Sequence, residues 1–170
     1  MVAALAARHG ATFKRAPRFI RAEVAEVRIA DRPVVLALPR TFMNESGQAV
    51  APRVKYFHAD TDRLLVVHDD IDLPLGRLRV QGGRGHGGNN GVRSVVGSLG
   101  TRDFWRLRCG VGRPPGSQDP ADYVLRPFAV KEREEAVLVV ELAGDLAELF
   151  AAEGGEVARQ RAGELGPDRP

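Results

Sequence analysis

The run Leu64-Leu65-Val66-Val67 constrains the fold of this chain more than any other stretch, because it is apolar throughout and stops abruptly at His68-Asp69-Asp70. A short strand without polar alternation needs cover on both faces, which in practice means helices packed above and below a sheet that contains parallel strands. The flanking pattern agrees. Residues Phe19 to Ile29 and Pro33 to Leu38 alternate about Ala30-Asp31-Arg32 and predict a β-hairpin. Leu78-Arg79-Val80 is a further short strand, and Phe104 to Val111 alternates, with Leu107, Cys109 and Val111 toward a core and Arg106 and Arg108 on a basic face. Between these lie helical segments. Residues 2–9 read as the back half of an amphipathic helix closed by Gly10. A second helix runs from Glu45 to Phe57, with Val50, Val54 and Phe57 on one face and Pro52 limiting its first turn. Asn90 to Leu99 is closed by Gly100, and residues 130–150 form a long amphipathic helix with Val137, Val140, Leu146 and Phe150 toward the body. The expectation is an α/β fold, a mixed twisted β-sheet flanked by helices. At 170 residues and 44% hydrophobic, the chain suits one domain over 1–170.

Composition narrows the class. The single Cys109 excludes an intramolecular disulfide framework, and four scattered histidines do not form a structural zinc site. The apolar opening Val2 to Ala7 is short, has no basic stretch ahead of it and runs into Arg8-His9, unlike a secretory signal. No window approaches the ~20 apolar residues of a membrane span. These features predict a soluble, cytoplasmic, monomeric protein with no membrane partner. The net charge of +3 conceals an asymmetry: residues 77–113 carry eight arginines against Asp103 alone, whereas 129–170 hold ten acids and five bases. A block of that kind is either a solvated surface or the footprint of a polyanion partner.

Three segments carry candidate chemistry. His68-Asp69-Asp70 follows a buried strand, at the carboxyl end where open α/β sheets bind ligands. A carboxylate there orients a histidine base or holds a metal, or is simply solvated; adjacent strand residues face opposite ways, so His68 and Asp69 are not expected to pair. The stretch Gly82 to Gly91 includes Gly83-x-Gly85-x-x-Gly88, with Asp103 twenty residues after Gly83. A dinucleotide site is excluded by context, since its acid ends a strand and Asp103 precedes one. The glycines instead let backbone approach a ligand and expose amides at the start of the next helix, or form a plain flexible loop. Thr41-Phe42-Met43-Asn44 puts an aromatic, a thioether and a carboxamide just after a strand.

Read together, Pro39-x-Thr41-Phe42-Met43-Asn44-x-Ser46-Gly47-x-Ala49-Val50, Val67-His68-Asp69-x-x-Asp72-Leu73-Pro74-x-Gly76, Gly85-x-Gly87-Gly88-x-Asn90-Gly91 and Arg106-Leu107-Arg108-x-Gly110-x-Gly112 resemble, in order and spacing, the bacterial peptidyl-tRNA hydrolases. The resemblance is close over residues 34–150 and looser elsewhere. It implies hydrolysis of the ester joining a peptide to the terminal ribose of tRNA, which recycles tRNA from aborted translation without metal or cofactor. It implies that Asp69 orients the base, that Asn44 and Asn90 hold the peptide–tRNA junction with Phe42 as an apolar contact, and that Arg108 reads the 5′ phosphate. The family's base is a histidine in Arg-His-Asn-x-Gly, after a strand ending Gly-x-x-Asn-Pro-Gly, and neither motif occurs here. Arg8-His9-Gly10 resembles the end of the family's first helix instead. The expectation is therefore a chain whose true start lies upstream of Met1, lacking the first strand and the start of the first helix. The alternative is a non-catalytic RNA-binding protein on the same scaffold. His68 and His86 remain open as substitute bases. Asn89 stands where the family usually has histidine and Gln81 where it has a phosphate-binding lysine, a loss that Arg79 on the same strand face compensates.

Overall fold

A computed structural model describes residues 1–16 and 21–165. The first helix, α1, spans Val2–Arg8 and ends where Gly10 turns left-handed at φ +65°. A two-residue strand β1 (Lys14–Arg15) precedes the hairpin strands β2 (Ala22–Ile29) and β3 (Arg32–Pro39). The part of the expected first hairpin strand at Phe19 and Ile20 lies outside the described residues. Ile29 pairs with Arg32, so Ala30 and Asp31 alone make the turn, both with positive φ (+48° and +61°). Two-residue turns of that hand match the right-handed twist of the strands they join.

Helix α2 (Ser46–Tyr56) then leads to β4 (Leu65–Asp70), β5 (Leu78–Gly82), α3 (Asn90–Leu99) and β6 (Trp105–Gly110). A short α4 (Pro120–Val124), a long α5 (Arg133–Glu153) and α6 (Gly155–Glu164) complete the chain. The strands form two separate three-stranded sheets among the described residues: β1-β2-β3, antiparallel throughout, and β4-β6-β5, in which β4 runs parallel to β6 and β5 antiparallel. The expected mixed sheet is the second of these.

Both faces of β4 are covered, as its apolar run requires. Leu65 and Val67 pack with Leu78, Val80 and Leu107 of the sheet and Val139, Ala143 and Leu146 of α5. Leu64 and Val66 pack on the other side with Val92 and Val95 of α3 and Phe104. The residues of β4 nevertheless stay only half-buried, because the strand pairs with β6 on one side and with no described strand on the other.

Three expectations need correction. Helix α2 buries two stripes, Gly47 and Val50 against α3 and Ala49 and Arg53 toward the hairpin, while Phe57 at its end stays exposed rather than buried. A Cβ on Gly47 would stand 2.2 Å from the Ser94 carbonyl oxygen. On α5 the buried stripe is Val139, Ala143 and Leu146, while Val137 is 62% exposed; two residues from Val139, it is turned well away from that stripe. The arginine face of β6 is not an open basic surface either. Arg106 is buried beneath the glycine loop and Arg108 is half-buried against a carboxylate.

Candidate active site

Because successive residues of a strand point to opposite faces, the carboxyl end of β4 delivers its polar groups in two directions. His68 and Asp70 face α3, together with Arg106 and Arg108 of β6 and Arg79 and Gln81 of β5, which lie opposite them in register. Asp69 faces the other way, beside Cys109 and toward α5. The expected absence of a His68–Asp69 side-chain pair holds for this reason.

On the α3 side the groups form one network. The Arg108 Nε donates to Asp70 Oδ2 at 2.6 Å, and its NH1 donates to Gln81 Oε1 at 3.2 Å. Burial alone would raise the Asp70 carboxyl, but the Arg108 contact and the amide of Asp72 hold it below the usual carboxylate range. Arg106, 3% exposed, donates to the Gly85 carbonyl oxygen at 2.8 Å and straps the glycine loop to the sheet. Desolvation lowers its pKa, and the neighbouring Arg108 lowers it further.

The His68 Nδ1 lies 2.7 Å from the backbone oxygen of Asp69. A carbonyl only accepts, so Nδ1 carries the proton and Nε2 the lone pair. The Asn89 amide nitrogen, 3.3 Å from the same Nδ1, is then a packing neighbour, since both atoms are donors and the Asn89 oxygen already accepts from Val92 N at 2.9 Å. Nε2 is buried with no partner among the described residues, and desolvation lowers the pKa of the ring. This imidazole is sequestered on the face away from the Asp69 carboxylate.

The amide-bearing segments converge above β4. Asn44 sits in a single 3-10 turn, Met43–Glu45, whose start is bridged by Glu45 N donating to the Phe42 oxygen at 2.9 Å. Gly47 N donates to Ser94 Oγ at 3.0 Å, and Met43 covers Gly91, so the turn rests directly on the first turns of α3. Asn90 opens that helix behind the Asn89 cap. Its side-chain oxygen accepts from Arg93, which leaves the amide hydrogens to face outward as donors. Phe42, at 78% exposure, projects from the same segment.

The site residues therefore assemble in two groups. Phe42, Asn44 and Asn90 come together over the α3 face, with Arg108 in the network below, and Asp69 stands one residue from that network but on the opposite side of the strand. No side-chain hydrogen bond among the described residues joins Asp69 to either amide or to any histidine. His9 is bound to Glu148 of α5 at 2.8 Å, and the His86 ring accepts from Gly88 N at 3.2 Å. The Asp70–Arg108 pair, the Arg106 strap and the Asn89 cap were missed in the sequence. Each had a signal there: the 70/108 and 106 positions follow from strand alternation, and an asparagine before a helix start is a cap.

Of the eight arginines in the basic block, Arg106 is buried, Arg108 pairs with Asp70 and Arg113 pairs with Asp72 at 2.6 Å. Arg77 is half-buried, and Arg79, Arg84, Arg93 and Arg102 are exposed and supply the open positive field on the α3 and β5 side. No helix among the described residues is long and apolar enough to cross a membrane.

Comparison with known proteins agrees with this architecture. Residues 1–166 match the family model described as peptidyl-tRNA hydrolase. The chain is 50% identical over 157 residues to the peptidyl-tRNA hydrolases of Mycobacterium tuberculosis H37Rv and Mycobacterium marinum, an alignment covering 92% of this chain and 82% of each relative. The crystal structure of peptidyl-tRNA hydrolase from Acinetobacter baumannii superposes with a TM-score of 0.86 at 31% identity, covering 95% of this chain and 81% of that one.

Proposed function

The chain belongs to the peptidyl-tRNA hydrolase family, and from that premise we propose that Asp69, Asn44, Asn90 and Phe42 form its ester-cleaving site, with Arg79 and Arg108 holding the tRNA. The protein hydrolyses the ester between peptide and tRNA, freeing the tRNA for reuse. The observation that supports the site assignment is the convergence of the Asn44 turn and the Asn90 helix start over the α3 face at the end of β4, with Asp69 exposed one residue away on the other face of the strand.

Attack by water on an ester carbonyl needs a base of near-neutral pKa, a group that fixes its tautomer, and donors for the charge that develops on oxygen. The Asn90 amide hydrogens, turned outward by the Arg93 contact, suit the donor role. The Asn44 carboxamide has no side-chain partner among the described residues and lies on the same side, and Phe42 offers a ring against the junction. Asp69, whose carboxylate has no partner among the described residues, is left to hold an imidazole N–H. The imidazole itself is not among the described histidines: His68 is turned to the opposite face, His86 is held within the glycine loop and His9 is tied to α5. The protein is read as a single cytoplasmic domain that acts as a monomer. The non-catalytic alternative is favoured by no contact in the structure.

Release of N-acetylated aminoacyl groups from tRNA tests this, with turnover expected and Asp69→Asn slowing it about 10²–10⁴-fold. Turnover indifferent to Asp69→Asn overturns the assignment. Turnover abolished by His68→Asn would move the base to His68.

A further inference from the structure

Helix α2 starts just after Asn44 with no side-chain cap of its own. Glu45 at its N-cap makes no side-chain bond to the helix, and the Ser46 hydroxyl donates back to the Met43 oxygen at 2.7 Å instead of accepting from an amide. The first amides of a helix have no partner within it and must find one elsewhere. That of Ser46 goes to the Met43 oxygen of the preceding turn, whereas that of Gly47 leaves the helix altogether and donates to the Ser94 hydroxyl oxygen of α3 at 3.0 Å. Ser94 therefore caps a helix to which it does not belong. The approach is close, since a Cβ on Gly47 would stand 2.3 Å from Ser98 Oγ as well as against the Ser94 backbone.

Both ends of this hydrogen bond lie a short step from the two candidate carboxamides. Ser94 follows Asn90 by four residues, on the same face of α3 and about 6 Å along its axis. Gly47 follows Asn44 by three, across the junction of the 3-10 turn with α2. The other ties of the Asn44 segment are less directional. Met43 covers Gly91 through a flexible side chain. Arg21 reaches Gln48 Oε1 at 3.2 Å and Glu45 at 3.6 Å on the exposed side, where such contacts hold little. Nor does the body of α2 fix its start, because Pro52 has no N–H to give the Gln48 oxygen and interrupts the ladder after the first turn. The spacing of Asn44 from Asn90 therefore depends on the bond between Ser94 and Gly47.

We propose that Ser94 is a positioning residue of the ester site: by capping α2 through the Gly47 amide, it holds Asn44 at the distance from Asn90 at which both carboxamides engage one peptide–tRNA junction. The inference rests on the site reading above, which gives the two amides that role. Ser94 acts through Asn44 and is not itself a contact of the substrate.

A non-hydrolysable 3′-amide analogue of N-acetyl-leucyl-adenosine, titrated calorimetrically into the full chain, reports on the junction alone, and deacylated tRNA reports on the arginine side. Ser94→Ala should weaken the analogue about tenfold, the scale of one lost hydrogen bond, and leave tRNA affinity within about twofold. Ser94→Cys, which keeps the volume but is a weak acceptor, should do the same, and Ser94→Thr, which retains the hydroxyl, should bind like wild type. In an Asn44→Ala background Ser94→Ala should have no further effect, because the residue it positions is gone; a change that merely loosened the fold would act in both backgrounds alike. Unchanged affinity in Ser94→Ala and Ser94→Cys, a loss in Ser94→Thr equal to that in Ser94→Ala, or a loss that repeats in the Asn44→Ala background overturns the proposal. If the analogue does not bind wild type, or binds Asn44→Ala equally well, the site reading itself fails and the role of Ser94 goes with it.

Discussion

Asp70→Asn should strengthen the grip on tRNA while weakening the fold. In the structure the carboxylate holds the Arg108 Nε at 2.6 Å, and the two side chains are 12% and 20% exposed. In the role proposed for it, Arg108 would meet a phosphate only with the N–H groups that Asp70 and Gln81 leave over. Removing the carboxylate charge gives the guanidinium an unshared positive charge. One added phosphate contact steepens the slope of log K against log salt by about 0.9, so the affinity advantage over wild type changes by about 3.5-fold between 50 and 200 mM salt. Arg108→Met should make the slope shallower by the same amount. The cost to stability follows from burial. An exposed pair contributes at most about 1 kcal/mol and breaking a fully buried one costs about 3–5, so a pair with a fifth of Arg108 open to solvent should lose about 1–3 kcal/mol. Filter binding of deacylated tRNA carrying a 5′ phosphate, across a salt series, measures the slopes, and urea unfolding measures the cost. If the slopes of wild type, Asp70→Asn and Arg108→Met stay parallel, Arg108 contacts no phosphate and serves only the internal pair.

Gly155→Ala should lower stability by at least about 2 kcal/mol, an overpacking cost, because the new Cβ would lie 1.9 Å from the Trp105 ring; thermal melting with Trp105 fluorescence reports it, and an unchanged melting temperature rejects the close approach of α6 to β6. Asn89→Ala should cost about 1 kcal/mol by uncapping α3, whereas Asn89→Asp, which keeps the acceptor for Val92 N, should restore most of it in the same unfolding assay. His68 titrates below its free value of 6.5 because burial disfavours its charged form, with the bond to the Asp69 carbonyl and the nearby Asp70 and Asp69 charges only partly opposing and Arg106 adding to the shift. The unfolded chain therefore takes up a proton first as pH falls, and stability present above about pH 6.5 fades on acidification toward the folded-state pKa. His68→Asn, which retains a donor toward the Asp69 carbonyl, should flatten that part of a pH series of unfolding midpoints; an equally steep variant removes His68 from the account.

The secondary structure was legible where local chemistry decides it. Gly100 ends α3 in the left-handed region at φ +71°, and the alternation about Ala30-Asp31 produces the hairpin with its register intact. The apolar run Leu65 to Val67 correctly required cover on both faces. What failed was the full extent of the buried faces on helices whose neighbours were unknown. On α2 the stripe containing Val50 does pack against α3, led by Gly47 where α3 comes within a Cβ's reach, but Phe57 at its end stays exposed. A second stripe, Ala49 and Arg53, is buried toward the hairpin, with the Arg53 guanidinium 5.5 Å from the Phe57 ring, which no hydropathy pattern predicts.

The site was legible as motifs but not as an arrangement, and the difference comes from one dipeptide. Asp69 and Asp70 are adjacent carboxylates in the sequence, yet the pleat sends them to opposite faces, where Asp70 is locked to Arg108 and Asp69 has no partner among the described residues. A charge count over residues 77–113 saw eight free arginines because it could not see Asp70 and Asp72 reach across from β4 and its turn to hold Arg108 and Arg113. The same alternation that consumes those charges makes the division of labour possible. A strand end with both carboxylates on one face would place the reacting ester in the phosphate-binding field, where an anionic transition state and the tRNA backbone compete for the same cations. With Asp69 turned away, the carboxylate proposed to orient the base stands outside the Arg108 network, next to Val111 and Phe128. Binding strength and chemistry can then be altered separately: charge changes at Arg79 or Asp70 should move salt dependence, and changes around Asp69 should move turnover.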